Sequence, residues 1–407
     1  MTRYPFTPEV LDALPEKVAE LFRALEDRLL QEICWRLNAA NQLNEVTVQD
    51  IRALRAHGIE LADIKKAIAE TAGVGLDKVD ELLDDVVERN QKYYSGVATA
   101  AKITIPKRLV SADDIDAIRR QTKGDLRNLT RSMGFAVRVG NRPVRWLPPA
   151  KAYQWALDMA ESEVMSGAIS YDQAITRAVK QLASGGLTTP EIKRARYENN
   201  GRVRYDQIDV AARRAVMTGV NQTCLRYSEQ AVDRLQTDLV EVSAHAGARN
   251  TGSGPENHSL WQGKIYHWSR DGKPNRTRYP DFEKATGYGR GEGLGGWNCR
   301  HTYYPYIDGV MERTYTDKQL ETIDRKPFVY QDRLYDQYQA TQKQREIERS
   351  IRKQKRIINS MSELDSEEAK KSKQEATIRL RRLNANYRAF SEKAGLPLQR
   401  ERTKVLY

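Results

Sequence analysis

Four of the five histidines fall in one stretch of the chain: His245, His258, His267 and His301. Cys299 joins them in the run Trp297-Asn298-Cys299-Arg300-His301. A cysteine two residues before a histidine can place both side chains on one side of a strand or turn. Imidazole and thiolate are also the donors that zinc prefers. With His245 or His258 as further donors, His245, His258, Cys299 and His301 form a candidate four-coordinate site, and structural zinc is the cofactor such a set would hold. The spacing is not that of a zinc finger, which pairs Cys-x-x-Cys with His-x-x-x-His. The competing reading is a buried thiol among histidines that make ordinary polar contacts, and the sequence leaves both open.

Other chemistries fit less well. A nuclease of the HNH type needs a general-base histidine beside metal ligands in a ββα unit. Here His301 is followed by Thr302-Tyr303-Tyr304-Pro305, which is strand-like and broken by proline. Gly289-Arg290-Gly291-Glu292-Gly293 lacks the preceding strand and the following Lys-Ser/Thr of a phosphate loop, so a flexible glycine loop is expected there. No Gly-x-Ser-x-Gly elbow occurs, and no residue is assigned a catalytic role.

The elements that must position these residues change character along the chain. Residues 1–95 read as a helical module. Leu11, Leu14, Val18, Leu21 and Leu25 recur at helical spacing, and Leu29, Ile33 and Leu37 extend the stripe,. Thr47 and Asp50 have helix-start spacing, Gly58 ends a short helix, and Gly73 and Gly75 are expected to break the chain again. A linker near Thr104, Ile105 and Pro106 leads into a second helical region, 96–237. Ser111 with Asp114, Pro148 with Pro149, and Ser170 with Gln173 mark helix starts there, and Gly185 and Gly186 mark a stop,. Residues 238–315 are dense in glycine, tyrosine and tryptophan. Leu239–Val242, Lys264–Tyr266 and Thr302–Tyr304 read as short strands between long loops. Trp261, Trp268, Trp297, Tyr303 and Tyr304 can supply a small aromatic core that competes with a metal as the stabiliser. The expected fold is mainly α with a small α+β glycine-rich domain, a helical N-terminal half and a C-terminal helical hairpin or coiled coil.

That hairpin lies in a basic region, 316–407. Ile347, Ile351, Ile358 and Met361 give one stripe, Leu380, Leu383, Tyr387 and Phe390 a second, and Ser362–Ser366 a turn,. The region holds 22 basic and 14 acidic side chains, so it carries +8 of the chain's net +12. That balance favours anionic partners, nucleic acid first, against the plainer reading of a solvated, mixed-charge coiled coil. Three cysteines far apart cannot build a disulfide framework, which points to folding in a reducing cytosol,. No basic-then-apolar leader opens the chain, and no stretch reaches the roughly 18 consecutive apolar residues of a membrane helix.

The series Asn257-His258-Ser259-Leu260-Trp261-Gln262-Gly263-Lys264-Ile265-Tyr266, Thr286-Gly287-Tyr288-Gly289, Gly295-Gly296-Trp297-Asn298-Cys299-Arg300-His301 and Pro305-Tyr306 resembles the hallmark region of the phage minor capsid protein 2 family. Its order of elements is similar to the wider Mu F-like head morphogenesis proteins. Many relatives carry cysteines where this chain has His258 and His301, a difference that keeps a metal-capable atom at each place. The N-terminal amphipathic helix and the tail segment from Gln344 to Arg352 are similar to this family too. The resemblance implies a low-copy structural protein of a tailed-phage head, in the capsid interior or at the portal vertex, and in host cytoplasm during assembly. The implied partners are portal and capsid proteins, with nonspecific contact to packaged DNA and no membrane. A metal-dependent nuclease or toxin-like enzyme built on the His/Cys window is the alternative.

Overall fold

The apolar stripes of the N-terminal half become helices α1 (Pro8–Ala13), α2 (Glu16–Ala39) and α3 (Leu61–Ala100) in the structure, a computed structural model. It describes residues 4–39, 49, 51–52, 61–137, 145–167, 169–191, 204–269, 278–296 and 298–405. On α2, Val18, Phe22, Leu25, Leu29, Ile33 and Leu37 recur every three or four residues, and all are buried,. The helix start expected at Thr47 and Asp50 and the stop at Gly58 lie outside the described residues.

Helix α3 differs from expectation. Gly73 and Gly75 do not end it, and 40 residues run as one helix. A helical glycine costs about 1 kcal/mol relative to alanine. The buried positions Ile64, Gly75, Val79, Leu83, Val86, Asn90 and Tyr94 share one face through this region, and burial of that face outweighs the local preference.

Helix starts follow their capping residues. α4 (Ala112–Arg131) begins at Ser111, whose Oγ accepts the Asp114 N–H at 3.1 Å. Two short strands come next, β1 (Gly134–Val137) and β2 (Arg145–Leu147). α5 (Pro149–Met165) opens on its proline, and α6 (Tyr171–Gly185) is capped by Ser170 and stopped by Gly186 at φ +70°,. Strands β3 (Leu187–Glu191) and β4 (Arg204–Gln207) precede α7 (Ile208–Arg234). The four strands form an antiparallel sheet in the order β2-β1-β3-β4. Helical periodicity did not predict this sheet, because strands of three to five residues carry too little alternation to register,.

The glycine-rich region holds a second antiparallel sheet of β5 (Leu239–Val242), β6 (Ile265–His267) and β7 (Tyr303–Tyr306), in the order β6-β5-β7, with a short α8 (Phe282–Thr286). Val240 pairs with Tyr266 on one side and Pro305 on the other. Beyond it come α9 (Asp317–Glu321), opened by a Thr316/Gln319 capping box, and the hairpin of β8 (Phe328–Tyr330) and β9 (Arg333–Tyr335). Gln331 and Asp332 take positive φ at its tip, where no Asn-Gly pair announces a tight turn,.

The tail is a helical hairpin, as the two stripes predict. α10 (Gln337–Ser362) and α11 (Glu367–Ala394) flank the expected turn, and Ser366 caps α11. Tyr387 donates to Glu348 Oε1 at 2.8 Å, and Gln344 Nε2 donates to Ser391 Oγ at 3.0 Å. The chain is therefore mainly α with small antiparallel sheets.

Two compact units form, each from three separated segments. The first comprises Met1–Val18, Leu76–Asp125 and Arg213–Gln342. Its aromatic core gathers Trp261, Tyr266, Trp268, Phe282 and Tyr303 with Leu225, Val232, Val240 and Leu294. Trp297, also expected there, lies outside the described residues. Gly219 lets α7 approach Thr122 of α4 where a larger residue would collide with the threonine side chain.

The second unit comprises Ala19–Gly75, Leu126–Ala212 and Lys343–Tyr407. A buried ionic cluster lies within it. Arg352 holds Asp209 with both terminal nitrogens and sits 3.6 Å from Glu26. Arg356 reaches Glu26 at 3.0 Å, and Arg23 reaches Asp209 at 3.4 Å. Glu26 Oε1 accepts the Leu187 N–H, and Arg356 Nε donates to the Ala183 carbonyl. Two of the tail's basic residues are thus consumed inside the fold.

Candidate metal centre

His301 and Cys299 are set in place by the backbone that leads into β7. Ser243 donates its N–H to the Thr302 carbonyl at 2.8 Å, and Thr302 donates its own to Ser243 Oγ at 3.0 Å. These bonds carry the β5–β7 pairing past the strand ends and bring His245 beside His301. The two rings stack with centroids 4.5 Å apart and planes 26° from parallel. Asn298, at φ +56°, turns the chain immediately before Cys299, whose N–H bonds to the Gly296 carbonyl.

The third contributor comes from the 3-10 turn His258–Leu260. His258 lies edge-on to His301 at 5.3 Å, and Trp261 packs against both rings, at 4.6 and 4.8 Å. Gln262 ties the group together. Its Oε1 accepts the His245 backbone N–H at 3.0 Å and meets His301 Nε2 at 3.1 Å. Sequence reasoning missed Gln262, since a glutamine carries no ligand signature, and only its neighbours in space reveal its role.

The glycine loop before Cys299 carries several backbone contacts of its own. Gly287 ends α8 in the left-handed region, Leu294 N–H bonds back to the Thr286 carbonyl, and Gly293 packs directly on the Gly287 backbone. Its glycines let backbone touch backbone, and the resulting turn presents the Glu292 carbonyl to His258 Nε2 at 2.9 Å,.

Of the four sequence candidates, the structure brings three together. One donor atom from each of His258, Cys299 and His301 lies within 4.8 Å of the others, and all three residues are buried. Cys299 Sγ and His301 Nδ1 are 3.6 Å apart. His245 stands next to this group with its Nδ1 on the Ala246 carbonyl at 2.8 Å. His267 sits on β6, with Asp238 at 3.9 Å, outside the group. Burial pushes every group towards its neutral form. His245 falls to about 3 and His258 to about 4, His301 lies well below the ordinary range, and the Cys299 thiol is raised,. The ββα frame of an HNH nuclease is not built here, because His301 leads into β7.

Comparison with known proteins agrees with the hallmark series. A family model described as "Phage minor capsid protein 2" matches residues 6–390. A protein of Lactococcus phage LL-H called "Structural protein" is 23% identical over 323 residues, which span 79% of this chain and 76% of that relative. No solved structure matches the chain.

Proposed function

The chain belongs to the phage minor capsid protein 2 family, and from that premise we propose that it is a structural component of a tailed-phage head, associated with the portal or the inner capsid wall. The match across residues 6–390 carries this reading, because it takes in both units and not one motif alone. In this reading the protein acts in head morphogenesis without catalysis, and its helical N-terminal half docks on portal or capsid proteins. The burial of His258, Cys299 and His301 supports a non-enzymatic role, since a substrate would need access to them. Among the described residues no helix is long and apolar enough to cross a membrane.

Contact with packaged DNA belongs to the same proposal, and the exposed arginines of α11 support that helix as the contact surface. Between Glu375 and Glu392 that helix carries Arg379, Arg381, Arg382 and Arg388, all exposed, and no acid. Phosphate neutralisation is independent of sequence, which suits a protein that meets any part of a genome.

Crosslinking mass spectrometry on purified particles tests the docking. The expected result is this chain in the particle, with crosslinks from residues 4–100 to portal or capsid protein. Its absence from particles, or crosslinks only from other regions, overturns the assignment. For DNA, filter retention by the full chain should fall steeply with salt. Each phosphate contact contributes about 0.9 to the log–log slope, so Arg381→Gln/Arg382→Gln/Arg388→Gln together should flatten it by about 2 to 3. An unchanged slope removes α11 from the interface.

A further inference from the structure

We propose that His258, Cys299 and His301 hold one zinc ion inside the glycine-rich fold. The first support is distance. Zinc bonds of about 2.3 Å to sulfur and about 2.0 Å to nitrogen, at a tetrahedral angle, separate the two donors by about 3.5 Å. Cys299 Sγ and His301 Nδ1 are 3.6 Å apart.

The second support is the hydrogen on each imidazole. Gln262 Oε1 accepts the His245 backbone N–H, so it is an acceptor towards His301 as well. His301 Nε2 must therefore carry the hydrogen, and Nδ1 presents a lone pair to the sulfur. The partner of His258 Nε2 is the Glu292 carbonyl, which can only accept. That nitrogen donates too, and Nδ1 is left as the free donor atom of His258. Ligating histidines characteristically hold their remote N–H on a carbonyl or carboxylate, which fixes tautomer and ring angle. Both rings have that second contact here.

His245 is a neighbour and not a ligand. Its ring is nearly parallel to that of His301, and imidazole lone pairs lie in the ring plane, so the two cannot converge well on one ion. Among the described residues no further histidine, cysteine or carboxylate joins the group. The site is thus a three-ligand set whose fourth position falls to water or another small donor. Binding converts the Cys299 thiol to thiolate and releases its proton to solvent.

The test uses the purified full-length chain. Elemental analysis, followed by chelation and titration with zinc or cobalt(II), should show one metal per chain. The cobalt form should show a thiolate-to-metal charge-transfer band in the near ultraviolet. Cys299→Ser should abolish that band and weaken zinc binding at least tenfold, whereas His245→Asn should keep the band. If Cys299→Ser does not fold, the wild-type cobalt spectrum still decides. A chelated chain that stays folded and takes up no stoichiometric metal, or that binds cobalt without the thiolate band, overturns the proposal. It leaves a buried thiol hydrogen-bonded to His301.

Discussion

Replacing Arg352 by Met removes the guanidinium that grips Asp209 with two hydrogen bonds and faces Glu26 at 3.6 Å. The side chains of all three are 6% exposed or less, so water cannot substitute for the lost partner. Breaking a buried ion pair from one side costs about 3–5 kcal/mol. Arg23 at 3.4 Å keeps some compensation for Asp209, and Arg356 at 3.0 Å does the same for Glu26. The lower end, about 3 kcal/mol, is therefore expected for Arg352→Met. Asp209→Leu should cost at least as much, because it takes the carboxylate from two arginines at once. Combining the two removes both charges, and the double variant should recover about 2 kcal/mol relative to the sum of the single losses. Hydrogen exchange read by mass spectrometry on peptides from α2 and α10 of the full chain follows this unit directly. A loss of about 3 kcal/mol appears as roughly a hundredfold fall in protection. Single-variant losses below about 1 kcal/mol, or a strictly additive double variant, would refute the view that this cluster is an electrostatically coupled core.

Further expectations concern the thiols, one glycine and acid. Burial raises the Cys34 thiol to about 12 and the Cys224 thiol to about 11, and raises that of Cys299, so no cysteine of the folded chain should react quickly with a thiol reagent at pH 8; fast labelling of any one contradicts its placement. Gly185→Ala drives a Cβ into the Ala136 carbonyl and should cost about 1–3 kcal/mol, seen as a lower melting temperature; wild-type melting would refute the contact. Burial raises the Asp209 carboxyl, but Arg352 and then Arg23 outweigh it and hold the group below the ordinary range. Its stabilising contribution is complete above the unfolded value of about 3.9 and is lost as pH falls below that through the folded value. Acid unfolding of Asp209→Asn should show a shallower dependence there, and an identical profile would dissociate Asp209 from acid stability.

Local signals were the most legible part of the fold. Ser111, Ser170 and Ser366 begin helices because a side-chain oxygen beside an apolar stripe satisfies an orphan N–H wherever the chain goes next,. Gly73 and Gly75 misled for the converse reason, since propensity is local and the buried face of α3 is not. The hairpin tip at Gln331 and Asp332 lacks the Asn-Gly or Asp-Gly pair that announces a tight turn, and β1 to β4 are too short to alternate,. At the candidate centre, ligand chemistry singled out Cys299, His301 and His258. In the proposed zinc site His245 is set aside by a ring angle, and Gln262 acts through one oxygen facing two donors, neither of which is encoded in spacing.

Glu26 and Arg356 are partners across 330 residues of chain. At ribosomal speeds of about 5–20 residues per second, α2 emerges roughly 15–65 s before α10 is made. Until then Leu25, Leu29 and Ile33 have no finished core to enter, and Glu26 has no cation from the tail. The second unit therefore completes its fold only after the segment Lys343–Tyr407 has been made. Prematurely ended chains carry exposed apolar helices in place of a folded body, and they are targets for chaperones and proteases. Such chains lack the segment Lys343–Tyr407 that completes this unit, so synthesis through that segment becomes a condition of its native surface.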